Sequence, residues 1–344
     1  MMRLPLPWLL CLTSAALALL LVGSLATGPM ALSLGESLRA LFAGQESGIE
    51  AHKLLIVQEI RLPRTLLCIA VGGILGLCGA VMQGLFRNPL ADPGIIGVSG
   101  GAALGAALAI VLLAPLGGQQ WQSLLGIGLL PLLAFLGGAL TTTLVYLLGT
   151  REGGTSVTVM LLAGVAITAL SGAVIGLLTY LADDQMLRNL SLWQMGTLAA
   201  GKPVDVALAL ATLIALLLLF MRDANPLNAL LLGEGEARHL GVNVQSLKRR
   251  LILLTAAGVG VAVAVAGMIG FVGLVVPHLV RLLAGPNHVR LLPLSALLGA
   301  ALLLGADMLA RTLMAPAELP VGIITALLGA PFFIWLLVKG RRTL

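Results

Sequence analysis

Few residues of this 344-residue chain have the types and spacing that chemistry requires. The segment GTLAAGK at 196–202 matches the phosphate-binding pattern G-x-x-x-x-G-K, but Pro203 stands where such a loop needs a Ser or Thr to hold magnesium. Asp307 lies four residues before Arg311, so the two share a helix face and can neutralise each other. The H-E-x-x-H motif of metalloproteases is missing from the sequence. We therefore expect no catalytic site and no cofactor bound by this chain.

The composition excludes a soluble globular protein. Hydrophobic residues make up 59% of the chain and charged residues only 10%, with a mean hydropathy of +1.08. The 43 glycines and the low aromatic content of 4% favour closely packed helices over a β-barrel with aromatic girdles. Cys11, Cys68 and Cys78 lie inside apolar runs without metal-ligand spacing, so no metal site is expected. The sequence predicts an all-α polytopic membrane protein without a nucleic-acid partner.

The apolar runs predict ten membrane-spanning helices. Eight runs lie near 4–27, 63–86, 93–114, 124–148, 156–181, 204–221, 291–313 and 320–338. A further uncharged stretch between Arg250 and Arg281 would form a helix of about 45 Å, which exceeds the bilayer core of about 30 Å. Because both of its ends are basic, we expect it to cross twice and to turn near Gly267, Gly270 and Gly273. Both termini are then cytoplasmic.

The connection at 87–94 predicts a short polar turn between two spans. Pro89 and Pro93 block helix continuation, and Pro93 is well placed as the first residue of the next helix.

Small residues recur at four-residue spacing in two of the predicted helices. The positions are Gly97, Gly101 and Gly105 in one helix, and Gly164, Thr168, Gly172 and Gly176 in the other. Such stripes let helix backbones approach closely. We favour packing seams within one subunit, and a lining of the substrate pathway is the alternative.

The long polar segment at about 222–250 predicts a contact for another protein. It contains two short helices at 225–232 and 234–240, separated by Gly233 and closed by Gly241. Leu230, Leu231 and Leu232 could fill an apolar groove on a partner, or the segment could be a connector resting on the bilayer.

Several long strings, in a shared order, resemble the FecCD-type permeases of ABC importers for iron chelates, heme and cobalamin. They are RLPR at 61–64, the runs at 79–94 and 97–101, GLVVPH at 273–278, ELPVG at 318–322 and LGAPF at 328–332. The resemblance implies a single transmembrane domain over 1–344 with the type II ABC importer permease fold. It further implies a homodimer in the bacterial inner membrane, two cytoplasmic ATPase subunits that bind ATP and magnesium, and a periplasmic substrate-binding protein.

The resemblance also implies roles for individual residues. In the family, arginines at the outer face receive carboxylates of the binding protein, and Arg61, Arg64 and Arg311 occupy the matching positions. The polar segment would contact the ATPase through Asn225, Leu230, Gly233, Glu234, Ala237, Leu240 and Gly241. His278 lies in a string shared by permeases of differing substrates, so we expect it to be structural.

The expected function is transport without covalent chemistry by this subunit. Heme is favoured over ferric siderophores because of the overall similarity to heme permeases, and cobalamin is an alternative. Met186 and Met195 near the outer side offer only soft contacts to a substrate. An ion-coupled secondary transporter is the alternative of another class, but it would ordinarily need intramembrane carboxylates or interrupted ion-binding helices.

Overall fold

The computed structural model describes residues 5–30, 32–42, 50–114, 128–151, 154–199 and 201–340. Its helices are α1 (Leu6–Ala26), α2 (Leu34–Phe42), α3 (Ala51–Leu85), α4 (Val98–Leu113), α5 (Leu129–Gly149), α6 (Val157–Leu181), α7 (Asp184–Gln194), α8 (Pro203–Arg222), α9 (Ala224–Leu231), α10 (Glu234–His239), α11 (Val244–Ala266), α12 (Val272–Ala284), α13 (His288–Thr312) and α14 (Val321–Gly340). An antiparallel ribbon between α5 and α6 pairs β1 (Thr150–Arg151) with β2 (Gly154–Thr155).

Ten of these helices are apolar. Seven are long enough to cross a membrane, namely α1, α3, α5, α6, α8, α11 and α13, while α4, α12 and α14 have shorter apolar segments. The predicted all-α membrane fold is confirmed, with the small ribbon as its one addition among the described residues. The predicted runs at 4–27 and 124–148 each begin in residues that lie outside the described ranges.

The predicted reversal between two spans is confirmed at 267–271. Helix α11 ends at Ala266 and α12 begins at Val272. Gly267 has a φ of +69° and Phe271 a φ of +68°, which no α-helix can accommodate. A side chain at Gly267 would also collide with the carbonyl oxygen of Trp193, so glycine is required there.

The prediction that Pro93 begins the next membrane helix is wrong. Pro93–Ile96 forms a short 3-10 turn, and α4 starts only at Val98. The Asp92 carboxylate accepts a hydrogen bond from Gly94 N at 2.7 Å, which caps the short turn. Gly97 then takes a left-handed φ of +86°, which ends the 3-10 turn before the helix begins. Burial raises the pKa of the Asp92 carboxyl, and the hydrogen bond from Gly94 opposes that shift.

Two polar helices, α2 and α7, were not predicted. Helix α2 begins with a capping box, in which Glu36 accepts from Ser33 N at 2.9 Å and Ser33 Oγ accepts from Glu36 N at 3.2 Å. The hydrogen bonds from Lys53 and Ser33 lower the pKa of Glu36 to about 2. Helix α7 has Asp183 as its cap, which accepts from Met186 N at 2.8 Å. Both caps are local patterns that sequence reasoning could have used.

Helix α3 is the central helix, since nearly every residue from Leu67 to Leu85 is buried. Lipid tails are as apolar as leucine, so helices in a bilayer associate through close packing of small residues. Gly72 of α3 faces Gly299 of α13, and a methyl group on either would collide with the carbonyl oxygen of the other. A methyl group at Gly76 would likewise collide with Ser295 of α13. We call this antiparallel contact the central seam.

The central seam sets which residues meet at the two ends of the bundle. The separation along the chain from Arg64 to Gly72 equals that from Gly299 to Asp307. Because the two helices run antiparallel, Arg64 and Asp307 therefore lie side by side. We call this the outer end of the bundle, and the end that holds α9 and α10 the inner end. At the inner end of α3, a methyl group at Gly84 would collide with the ring of His288, the first residue of α13.

Substituting Gly299 tests the central seam. Gly299→Ala adds a methyl group against the Gly72 carbonyl, and overpacking of this kind costs about 1–3 kcal/mol. We expect a lower melting temperature for the detergent-solubilised protein. The matched control is Gly305→Ala on the same helix, because a methyl group there meets nothing within 4 Å. Equal melting temperatures for the two variants would contradict the seam.

Candidate functional site

Five charged residues form an outer charge cluster, namely Arg61, Arg64, Asp307, Arg311 and Glu318. They come from α3, from α13 and from the connection before α14. Three positive charges meet two negative charges, so the cluster carries an excess of one positive charge. Buried ions are tolerated only when they are paired and hydrogen-bonded, which makes the partner of each group informative.

Asp307 is the centre of the outer charge cluster. Its side chain is fully buried, and Oδ1 accepts hydrogen bonds from Arg64 Nε at 3.0 Å and Nη2 at 2.9 Å. Arg311 Nε lies 3.0 Å from Oδ2, which is the intrahelical pair that the sequence predicted. One carboxylate therefore holds two guanidinium groups from two helices.

Glu318 is the outermost acid of the outer charge cluster. Its Oε2 lies 2.6 Å from Arg64 Nη1, and its side chain is one-third exposed, with a relative accessibility of 33%. Arg64 thus uses one side of its guanidinium for buried Asp307 and the other for a carboxylate at the surface.

The remaining arginines hold the end of α1. Arg61 Nη1 donates to the carbonyl oxygens of Leu25 at 2.7 Å and Ala26 at 2.9 Å, and its Nη2 donates to that of Met30. Arg311 Nη2 donates to Ser24 Oγ at 2.7 Å. Because the last carbonyl groups of a helix have no partner within it, these contacts satisfy groups that would otherwise be buried and unpaired.

The three arginines predicted for docking therefore lie together, but inside the chain. Arg61, Arg64 and Arg311 are 4%, 6% and 2% exposed. Their docking role stays a prediction, and the structure adds that each already has partners within the chain. Sequence reasoning missed the contacts of Arg64 with Asp307 and Glu318, because residues so distant in the chain show no local pattern.

At the inner end, α9 and α10 form what we call the inner hairpin. The two predicted short helices are confirmed with nearly the predicted bounds. Gly233, with a φ of +127°, separates the helices, and Gly241, with a φ of +81°, follows the second helix. Such angles are strained for any residue with a side chain, which explains glycine at both positions.

The inner hairpin exposes only part of the residue set predicted for partner contact. Asn225, Leu240 and Gly241 are exposed, and Gly233 and Glu234 are partly exposed. Leu230 and Ala237 are buried beneath the hairpin, so Leu230 cannot fill an apolar groove on a partner as expected. Leu231 and Leu232 remain on the surface, so the predicted leucine triplet is split by the helical periodicity.

Polar contacts attach the inner hairpin to the membrane helices at three places. Asn228 Oδ1 of α9 accepts from His288 N of α13 at 2.8 Å. Asp223, which lies between α8 and α9, pairs with Arg250 of α11 at 2.5 Å. Glu234 of α10 pairs with Lys248 of α11 at 2.7 Å. Local sequence patterns do not predict these ion pairs, because the paired residues lie in different elements of the chain.

The first predicted glycine stripe packs against α5. A methyl group at Gly101 would collide with the Gly137 carbonyl, and one at Gly105 would collide with the Leu133 carbonyl. Thr141 Oγ1 donates to the Gly97 carbonyl at 2.9 Å.

The second stripe, on α6, divides into a packed and an open part. Gly164 contacts the Ile95 carbonyl, whereas methyl groups at Gly172 and Gly176 would meet nothing within 4 Å. The end of the stripe therefore faces away from the described part of the chain.

The other features of note in the described residues are His278, the phosphate-loop-like segment and a cavity. Both ring nitrogens of His278 lack a hydrogen-bond partner among the described residues, and the ring packs edge-on against Phe332 at 6.0 Å. The phosphate-loop-like segment follows helix α7 and not a strand, as a phosphate loop would require. A cavity of about 810 Å³ borders Ala114 and Gly128, the residues that flank 115–127, and that stretch lies outside the described ranges.

The sequence and structure are similar to those of known transport proteins. The family model for the FecCD transport family matches residues 16–339. The hemin transport system permease protein HmuU of Yersinia pestis is 47% identical over 329 residues, which cover 95% of this chain and 94% of HmuU. The vitamin B12 import system permease protein BtuC of Shigella boydii serotype 18 is 43% identical over 335 residues, which cover 97% of this chain and 96% of BtuC.

One solved structure has the same arrangement of helices. It is that of a transporter assigned to the metal-chelate ABC type, in an inward-facing conformation, and it matches with a TM-score of 0.83 at 34% identity. The match covers 97% of this chain and 99% of the solved chain. The shared fold therefore extends over nearly the whole chain.

Removing the central carboxylate tests the outer charge cluster. Asp307→Asn leaves two buried guanidinium groups without their shared counter-ion, and losing one partner of a buried pair costs about 3–5 kcal/mol. We expect a large fall in melting temperature. Glu318→Gln is the control, because a partly exposed pair contributes about 1 kcal/mol or less. A small effect of Asp307→Asn would show that the cluster is not held by this charge.

Proposed function

Because this chain belongs to the FecCD transport family and is a multi-pass permease of the ABC importer class, we propose that it transports an iron-containing chelate, with heme favoured over ferric siderophores. The observation that carries the proposal is the 47% identity to a hemin permease over 95% of the chain. Cobalamin is the second candidate, since a vitamin B12 permease is 43% identical over 97% of the chain.

Energy for transport is proposed to come from separate ATPase subunits, which would bind the ATP and magnesium. The carboxylate buried within the described spans is Asp307, and two arginines already neutralise it. A secondary transporter ordinarily uses intramembrane carboxylates to bind protons or cations. Asp307 is not available for that role, because it is paired with the two arginines. This pairing favours ATP hydrolysis over an ion gradient as the driving force.

The inner hairpin is proposed as the contact for the ATPase. Leu231, Leu232 and Leu240 expose apolar surface there, with Leu232 at 68% and Leu240 at 63% exposure. Exposed leucines on short helices can enter an apolar groove of a partner. Asn225, Gly233, Glu234 and Gly241 would add polar and backbone contacts, while buried Leu230 and Ala237 would support the hairpin from within.

The outer charge cluster is proposed as the docking site for the periplasmic binding protein. Its excess positive charge favours an acidic partner and would guide the orientation of docking more than its strength. Since Arg61 and Arg311 hold the end of α1, the reachable group is Arg64. A docking carboxylate would replace Glu318, the partly exposed partner of Arg64.

The assembled transporter is proposed to be a homodimer in the bacterial inner membrane, with both termini in the cytoplasm. Helix α6 supports an interface with a second subunit or with lipid, because it exposes Leu162, Val165 and Leu170 and leaves Gly172 and Gly176 uncovered.

Reconstitution tests the proposed function. Proteoliposomes that contain the permease, its ATPase subunits and the binding protein should take up heme only with ATP and magnesium. Cobalamin is offered in a parallel assay, and faster uptake of cobalamin would reverse the order of the two candidates. Uptake driven by an ion gradient without the ATPase would show that the chain is a secondary transporter.

A substitution on the inner hairpin tests the ATPase contact. Leu240→Asp places a charge in a proposed apolar interface, and we expect at least about tenfold less ATPase to co-purify with the permease. The control is Leu313→Asp at the outer end, because Leu313 is 60% exposed and Leu240 is 63% exposed. If both variants retain the ATPase equally, the inner hairpin has been misassigned.

A further inference from the structure

We propose that Lys248 is a positioning residue that joins α10 to the beginning of α6, so that the two move as one body during transport. The inference rests on the proposed function, because it takes the inner hairpin as the contact of the ATPase. The inference adds a route by which a movement of α10 would be transmitted to the membrane helix α6.

Lys248 lies at a junction of three elements. Its Nζ donates to Glu234 Oε1, on the first residue of α10, at 2.7 Å, and to the carbonyl oxygen of Thr155 at 3.0 Å. Its side chain is only 4% exposed although it carries a charge. Charge-assisted hydrogen bonds of this kind are shorter and stronger than neutral ones, and burial of the lysine reduces screening by salt at its end of the pair.

A second contact holds the same point of the chain. Gln245 lies one helical turn before Lys248, on the same face of α11. Its Nε2 donates to Thr155 Oγ1 at 2.5 Å, and its Oε1 accepts from Thr155 N at 3.1 Å. Thr155 ends β2 and directly precedes Ser156, the cap residue of α6. Helix α11 therefore binds the chain directly before the cap residue of α6.

Helix α10 depends on Lys248 more than on its other ion pair. Arg238 lies 4.0 Å from Glu234, but its side chain is 67% exposed, and pairs of this type contribute little. Loss of Lys248 would also leave the Thr155 carbonyl without its charged donor. The buried lysine is thus the polar contact that links α10 to α6.

Helix α6 has few buried residues, so it can move when α10 moves. Only Met160, Gly164, Ser171 and Leu178 are buried along it, whereas α3 is buried almost throughout. Within its own subunit α6 can therefore tilt at low cost, because few contacts are lost. Helix α9 is attached elsewhere, to His288 of α13 through Asn228. The two helices of the inner hairpin therefore connect to different parts of the bundle.

Coupling measurements test the role of Lys248. In proteoliposomes with the ATPase subunits and the binding protein, we expect Lys248→Gln to lower heme uptake per ATP hydrolysed by about fivefold or more. The control is Arg249→Gln, which loses the same charge at the next residue, where the side chain is exposed. A purely structural lysine would lower stability or assembly and leave the ratio of uptake to hydrolysis unchanged.

A distance measurement tests the single-body movement directly. In a Cys11→Ser background, spin labels at Arg238 on α10 and Val159 on α6 use exposed positions. We expect the distance between the two labels of one subunit to keep one narrow distribution both without nucleotide and with ATP, and a broader one in Lys248→Gln. Dimers that contain one labelled and one unlabelled subunit remove the distances between subunits. A distance that changes with ATP in the otherwise unaltered protein would overturn the inference, even if Lys248→Gln does not fold.

The outcomes separate this inference from the proposed function. An unaltered complex that shows no ATP-driven uptake of heme, a ferric siderophore or cobalamin overturns both. An active complex in which Lys248→Gln couples normally overturns the role of Lys248 alone.

Discussion

The close approach of α3 and α13 is the contact on which the rest of the structure depends. In a bilayer, apolar side chains gain little by leaving lipid, so the helices must gain their stability from contact between backbones. Gly72 and Gly299 allow that contact, and their antiparallel register places Arg64 beside Asp307 at the outer end. The same two helices bring Gly84 against His288 at the inner end, where Asn228 of the inner hairpin is bound. One seam therefore positions both candidate sites.

The two ends of the bundle use charge in different ways. At the outer end, charges are buried and paired with one another, which makes a rigid cluster with one reachable edge at Glu318. At the inner end, separate ion pairs attach the hairpin to α11, and the leucines between them remain exposed. The first arrangement would serve the proposed docking of a partner, and the second the proposed transmission of a movement. Neither brings together the nucleophile, base or metal ligands that catalysis by this subunit would need.

Similarity to permeases whose names specify hemin and vitamin B12 agrees with the distribution of polar groups in this chain. The charged residues of the outer charge cluster are engaged with each other or with backbone carbonyls, as Arg61 and Asp307 illustrate. Such groups stabilise the bundle and are not available to select a small molecule. A fold of this type can therefore be shared by permeases for different substrates.

The sequence by itself determined the features that depend on neighbouring residues. Uncharged runs predicted the ten apolar helices, and glycines marked the turn at Gly267 and both bounds of α10. The structure then gave these glycines positive φ angles. Only the tertiary structure decided which distant side chains meet, such as Arg64 with Asp307 and Lys248 with Thr155. It also decided that Leu230 is buried while Leu231 is exposed. Hydropathy and backbone preference act along the chain, whereas a buried charge finds its partner only after helices have packed in three dimensions.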